Sequence, residues 1–565
     1  MSASSKKKLR KEQKAAALTE KQLKELKEAK QLKTMTLTFA VVMILVVAIV
    51  LGIAVRSPIN GAIDRGTHAI TVGEHDLSTT DLSYFYIDAI NNYYNNIYST
   101  YSSMYGDYWQ LFVPFDVSKP LNEQKYSEEE NKTWAQFFMD QAFDSVKDVY
   151  SVYDLAVSKD HKLTEEQQEA LDTHEDTLEY IATMQGYSSV ASYLRGTYGD
   201  GANLKSYLNY YTVSAYASSY LQAYAEALEY TDEDYRAHEK GNFNNYSTFS
   251  YATYTVNVDS YLPKNTTSDE KKDSSTTTTS ASDKKKEPTA EEKAAALEAA
   301  KKDAEALAAG KYESALKFDE AIKALAINKD SKTAKSSQSE DIFYANISNA
   351  DIKKWVGTTG RNPGDLTIIP ITKTVTKEDK STTLETTGYY VVYFMERDDN
   401  KTNLVDVSHI LYKFEGGTKD SSGKVTYSDA EKAVAKEKAE KLLNEWKAGK
   451  ADLESFKELA NKNSADSDGK DGGLYEDLYP GQMVDSFNDW CFHADRKPGD
   501  TDVIETEYGY HIMYFVETND ITYRDYMIKN ELINEDTTKW HDELAEKVEI
   551  VTVNLDRMEW DFTFN

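Results

Sequence analysis

At 565 residues the chain is too long for one ordinary core, and three or four domains are expected. Lys and Arg number 65 against 95 Asp and Glu, and the resulting formal charge of −30 argues against a nucleic-acid partner. A single cysteine, Cys491, excludes an intrachain disulfide framework and any cysteine-built metal site; with nine scattered histidines and no HExxH, GxSxG or P-loop spacing, neither a metal nor a cofactor is called for.

Residues 1–34 form a basic tail with eleven lysines and arginines against four glutamates, net +7. Residues 35–55, MTLTFAVVMILVVAIVLGIAV, carry no charge over 21 positions, enough at 1.5 Å per residue to cross a hydrocarbon core of roughly 30 Å. The expectation is a single N-terminal transmembrane helix, uncleaved because 34 residues precede it and no small-residue cleavage site follows. Positive charge keeps the amino end in the cytoplasm, so the predicted location is the cell membrane, single-pass, with an acidic extracytoplasmic ectodomain. A lipid anchor would need a cysteine just after the apolar run, and Cys491 is far from it.

Residues 56–244 read as a helical domain, with Tyr, Leu and Ala at three- and four-residue spacing over 134–156 and 203–230. Its segment 84–112 mixes many aromatic rings with Asn and Ser, a composition suited either to helix packing or to gripping extended polypeptide. A polar low-complexity insertion, 264–293, buries no apolar area. Helices are predicted over 290–309, ended by Gly310, and over 311–326.

An internal repeat then organises the rest. WVGTTGRNPGD (355–365) matches WCFHADRKPGD (490–500), GYYVVYFME (388–396) matches GYHIMYFVE (509–517), and FSYATY (249–254) sits where VSHILY (407–412) sits. Each copy reads as a strand, two helices, a short helix carrying Trp, a PGD turn and a closing strand. The boundaries are 245–400 for the first copy, 401–519 for the second and 520–565 for a C-terminal segment.

The second copy, over about 404–518, resembles the parvulin family of peptidyl-prolyl cis–trans isomerases. The resemblance is carried by VSHILYKF with His409, the helix pair AEKLLNEWKAGKADLESFKELANKNSAD, Gly472 and Gly473, GQMVDSF, and GYHIMYF with His511. It implies an α+β fold in which Met483, Phe487 and Leu474 line a proline pocket, with Tyr508 as a further wall. It also implies that His409 and His511 face each other behind the peptide bond and that Asp466 lies beside it. The family's Gly-Asp-Leu-Gly turn is here Gly472-Gly473-Leu474-Tyr475, with one extra residue before Met483. In the first copy Tyr251 stands for His409, Tyr390 for His511, Ser348 for Met483 and Ile352 for Phe487, so that copy reads as a degenerate parvulin-like domain. Cys491, between Trp490 and Phe492, reads as a buried small hydrophobe rather than a nucleophile.

The fold class expected is therefore multi-domain α+β: a transmembrane helix, a helical chaperone-like domain, tandem parvulin-like domains and a C-terminal helix and strand. This arrangement is similar to extracytoplasmic foldases of the SurA and PrsA kind, in which the tail returns to the first domain; here 548–564 would pair with 69–72. The function implied is a membrane-tethered isomerase and chaperone for unfolded or nascent secreted polypeptides with X-Pro bonds. The alternative is a non-enzymatic holdase using both copies as binding modules.

Overall fold

The computed structural model describes residues 57–263, 288–377, 380–466 and 472–558, with 560 and 562. The described residues fall into two compact units, one of residues up to 228 together with those from 533 onward, the other of residues between 229 and 532. The first is helical around a small sheet. Strands β1 (His68–Val72) and β2 (His75–Ser78) form an antiparallel hairpin; helices α1 (Thr79–Tyr105) and α2 (Trp134–Ser158) pack on it, and α3 (Leu204–Glu226) packs on both helices. Each helix opens on a reciprocal capping box: Ser78 with Asp81, Thr133 with Gln136, and Asn203 with Ser206. Ile70, Leu82, Tyr84, Phe138 and Val146 lie in one buried core.

The second unit opens with α4 (Asp232–Glu239) and holds two four-stranded sheets. The first is built from β3 (Thr248–Asn257), β4 (Ser337–Phe343), β5 (Leu366–Thr376) and β6 (Thr382–Asp398) in the order β4-β3-β6-β5. Helices α5 (Ala290–Ala308) and α6 (Ala315–Ala324) cover one face, where Ala296, Ala300 and Ala304 meet Ala252, Val391 and Tyr393; α7 (Ala350–Val356) covers the other. The second sheet is built from β7 (Asn403–Lys413), β8 (Leu474–Leu478), β9 (Thr501–Thr506) and β10 (Gly509–Thr522) in the matching order β8-β7-β10-β9. Helices α8 (Asp429–Lys447) and α9 (Leu453–Asn463) cover one face and α10 (Asp485–Cys491) the other.

The frame repeats closely. Arg361 Nε donates to the Trp355 carbonyl at 2.9 Å and Arg496 Nε to that of Trp490 at 3.0 Å, each guanidinium lying over the indole it serves, at 3.8 and 3.9 Å. In both PGD turns the glycine N–H donates to the strand behind, Gly364 to Phe394 and Gly499 to Phe515, each at 2.9 Å. Cys491 is buried in the second frame, and that burial pushes its thiol pKa up to about 12, the state of a packing residue.

Helix α11 (Tyr523–Ala545) leads to β11 (Ile550–Thr552), which pairs antiparallel with β1, Ile70 opposite Thr552. The tail therefore returns to the hairpin at 68–72, over a shorter strand than the sequence suggested. One expectation is corrected: among the described residues no helix is long and apolar enough to cross a membrane. The described residues form a multi-domain α+β structure. The basic tail, the run 35–55 and most of the low-complexity insertion, 264–287, lie outside the described residues.

At the start of α11, within the second unit, Arg524 is 1% exposed. Its guanidinium donates to Glu239 Oε2 at 2.7 Å and the Phe243 carbonyl at 2.8 Å, and stacks 3.8 Å over the Phe243 ring. Its backbone N–H donates to the Asn400 carbonyl at 2.7 Å, at the junction between the two sheets. Glu239 keeps a second cation, Arg236 at 2.6 Å from Oε1, so removing Arg524 costs the lost charged hydrogen bonds, about 1.5–3 kcal/mol. Arg524→Met is expected to destabilise this unit by that amount, read as a lower denaturant midpoint; an unchanged midpoint would refute the role of the pair.

Candidate active site

Strand alternation builds the site. His409 on β7 and His511 on β10 share a face with Val405, Val407, Met513 and Phe515, the face covered by α10. The two rings meet through their Nδ1 atoms at 3.0 Å, and Phe487 of α10 stands edge-on to both, with ring centroids 5.4 and 5.5 Å away. Beneath His409 the backbone passes very close: its N–H donates to the Gly473 carbonyl at 2.9 Å, and a Cβ at Gly473 would lie 2.2 Å from the His409 oxygen. With φ of +66° as well, that position accepts only glycine.

Asp466 reaches the pair from the loop after α9. The loop is pinned to β7, Ala465 N–H donating to the Leu411 carbonyl at 2.9 Å and Leu411 N–H to Ser464 Oγ at 3.1 Å. Asp466 Oδ2 then lies 3.1 Å from His409 Nε2, an ion-pair distance but out of line for a full hydrogen bond. At the far end, Thr506 Oγ1 lies 2.9 Å from His511 Nε2.

One set of protons satisfies the whole row. The carboxylate favours a proton on His409 Nε2; His409 Nδ1 then accepts from His511 Nδ1, and His511 Nε2 accepts from the Thr506 hydroxyl, which itself accepts the Tyr508 N–H at 3.2 Å. Burial holds His511 neutral. It pushes the pKa from its ordinary 6.5 down to about 3, with the neighbouring His409 acting in the same direction and Asp466 opposing.

Both histidines are nearly inaccessible, 2% and 5% exposed, so they lie under the site rather than on its surface. Met483, half-buried beside Phe487, and the partly exposed Asp466 carboxylate are the parts of the group that reach solvent. Two residues from the sequence reading fall elsewhere. Leu474 pairs with Ser408, so it shares the opposite face of the sheet; the next residue, Tyr475, pairs with Val407 and packs beside Phe487. The extra residue before Met483 is taken up by a bulge between Tyr475 and Leu478. Tyr508 is 57% exposed at a hairpin tip, and its contribution here is its N–H.

Tyr475 and Thr506 were missed. Thr506 carries a readable signal: a two-residue turn at Glu507-Tyr508 sets it opposite Gly509, two positions before His511.

The first sheet lacks this chemistry, with one change of register. Tyr390 occupies the place of His511, but Phe394, the counterpart of Phe515, pairs with Tyr251 where Phe515 pairs with Val407. Thr253, opposite Val392, therefore stands where His409 does, and Tyr251 stands at Val407. Ile352 is buried at the place of Phe487.

Residues 389–519 match the family model described as PPIC-type PPIASE domain. The foldase protein PrsA of Staphylococcus epidermidis is 38% identical over 142 residues, which is 25% of this chain and 40% of that protein, so the chain spans less than half the length of the curated relatives it matches. Among solved structures, a peptidylprolyl isomerase (PrsA) from Bacillus anthracis is 20% identical over 26% of this chain and 59% of that one, with a TM-score of 0.17. PrsA from Bacillus subtilis is 22% identical over 28% and 55%, with a TM-score of 0.19.

The depressed His511 pKa carries a pH signature. Below pH 6.5 the unfolded ring takes a proton that the folded ring refuses until about pH 3, so the unfolded state binds more protons and stability falls with pH across that window. The loss approaches about 1.4 kcal/mol per pH unit. Denaturant midpoints between pH 7 and pH 4 should fall less steeply in His511→Phe than in the natural chain; equal slopes would show that His511 titrates normally.

Proposed function

We propose that this chain, which carries a parvulin-type peptidyl-prolyl isomerase domain over residues 389–519, catalyses cis–trans isomerisation of X-Pro bonds and chaperones polypeptides secreted across the cytoplasmic membrane. The carrying observation is the facing pair of His409 and His511, 3.0 Å apart, under the apolar wall of Met483 and Phe487, with one carboxylate at the rim.

The task fits those parts. An X-Pro amide favours trans by only about 0.5–1 kcal/mol but isomerises slowly because resonance must be broken, and no covalent step is needed. In the planar amide the carbonyl oxygen carries negative charge that it loses on twisting. A fixed carboxylate beside it therefore disfavours the planar form more than the twisted one, while the apolar wall holds the pyrrolidine ring. His511, held neutral by burial, supplies no competing cation beneath the carboxylate.

A holding role has its own support in the first unit. The end of α1 and the following turn, Gly106–Phe112, fold against each other through Tyr101 on Phe112, stacked at 4.1 Å, and Tyr98 on Trp109 at 5.0 Å. This leaves Tyr98, Met104, Tyr108 and Leu111 exposed on a stretch whose one charge between Asp88 and Asp116 is Asp107. Action at the outer face of the membrane, amino end in the cytoplasm, rests on the uncharged run 35–55 behind a tail of net +7. Protease added to intact cells should then digest the acidic body; complete protection would reject that location.

The enzyme reading is tested on the full chain with a proline tetrapeptide. Met483→Ala is expected to lower kcat/KM at least about tenfold by removing pocket wall. Replacing Tyr98, Tyr108 and Leu111 by Ser should leave isomerisation intact and weaken suppression of aggregation of a reduced, alkylated polypeptide. A folded natural chain without isomerase activity would leave holding as its function.

A further inference from the structure

We propose that Tyr475 is a positioning residue of the isomerase site: its hydroxyl holds the Asp466 carboxylate against His409 and so sets the direction of the proton row through His511 to Thr506. The proposal rests on the isomerase reading above.

Three observations carry it. Asp466 sits on a loop whose backbone is pinned to β7, but its carboxylate is partly exposed, and the neighbouring imidazole is out of line for a full hydrogen bond. The Tyr475 hydroxyl donates to the same oxygen, Oδ2, at 3.2 Å. Tyr475 itself is placed rigidly. It pairs with Val407 in the sheet, packs among the apolar residues around Phe487, and keeps its ring centroid 5.1 Å from that of His409.

The direction of the row follows. With Oδ2 fixed 3.1 Å from His409 Nε2, a proton on Nδ1 instead would turn a lone pair toward a carboxylate oxygen. That arrangement is repulsive, so His409 keeps its proton on Nε2, and His511 must donate through Nδ1. A tyrosine at the start of an edge strand thereby governs two histidines, and it keeps the negative oxygen at the rim where the peptide carbonyl arrives. The groups facing Asp466 from the packed strands are Tyr475 on β8, His409 on β7 and His511 on β10.

The experiment compares the natural full-length chain, Tyr475→Phe, Asp466→Ala and the double variant. Phe keeps the ring and removes the hydroxyl. Expected for Tyr475→Phe are an unchanged thermal midpoint, a loss of about tenfold in kcat/KM toward a proline tetrapeptide, and His409 ring 15N shifts that move from Nε2-protonated toward a mixture of tautomers. In the Asp466→Ala background the same substitution should cost nothing further. Natural kcat/KM with unmoved ring shifts in Tyr475→Phe would overturn the proposal, as would an equal loss with and without Asp466, the mark of packing alone. Absence of isomerisation in the natural chain would instead sink the isomerase reading, and the ring shifts, which need no turnover, would still decide whether Tyr475 sets the tautomer.

Discussion

β7 and β10 are covered on both faces, by α8 and α9 on one side and α10 on the other, so successive side chains along each strand enter different cores. That constraint leaves no neutral ground for a polar residue. Ser408 answers it by donating to the Gly472 carbonyl at 2.6 Å, and the two histidines answer it by bonding each other. Pairing them satisfies one nitrogen of each imidazole inside an apolar layer, and burial keeps His511 uncharged. The polar row of the site thus begins as a requirement of the fold: the two histidines pair within the covered layer, and the Asp466 carboxylate stands at its edge.

The two sheets show how far frame and filling can be separated. Trp, Arg and the PGD turn recur with hydrogen bonds that agree within 0.1 Å, although the surfaces they support differ completely. Where the second sheet holds two histidines and Phe487, the first holds Thr253, Tyr390 and Ile352. The Trp–Arg pair has no place in the chemistry. Its work is to close the short helix onto the sheet, and both copies need that equally.

The legible parts of the sequence were those fixed by local spacing. The tandem helices, the Gly ending at 310 and the PGD turns follow from patterns a few residues long, whereas the grouping of Met483, Phe487, His409 and His511 came with the resemblance to the parvulin family. The obscure parts depended on register. Tyr251 and Thr253 exchange meaning because the first sheet's pairing is displaced by two residues, and Leu474 yields to Tyr475 because a bulge absorbs one residue. Both preserve the hydrophobic pattern closely enough to hide. Arg524 was obscure for another reason: a lone arginine at a helix start reads as solvated, and its partners Glu239 and Phe243 are nearly three hundred residues away in the chain.

The return of β11 to β1 has a consequence for the order in which the molecule is made. A two-stranded hairpin such as β1 with β2 is marginal alone, and its third strand is supplied from beyond almost everything else in the chain. Growing amino end first, the chain presents the hairpin long before the strand that completes it, and in the interval both four-stranded sheets have time to form. The helical unit is then the earliest to be synthesised and the last to close. Until that strand arrives the outer edge of β1 lacks its backbone partner, so the carboxyl-terminal residues complete the unit that was made first.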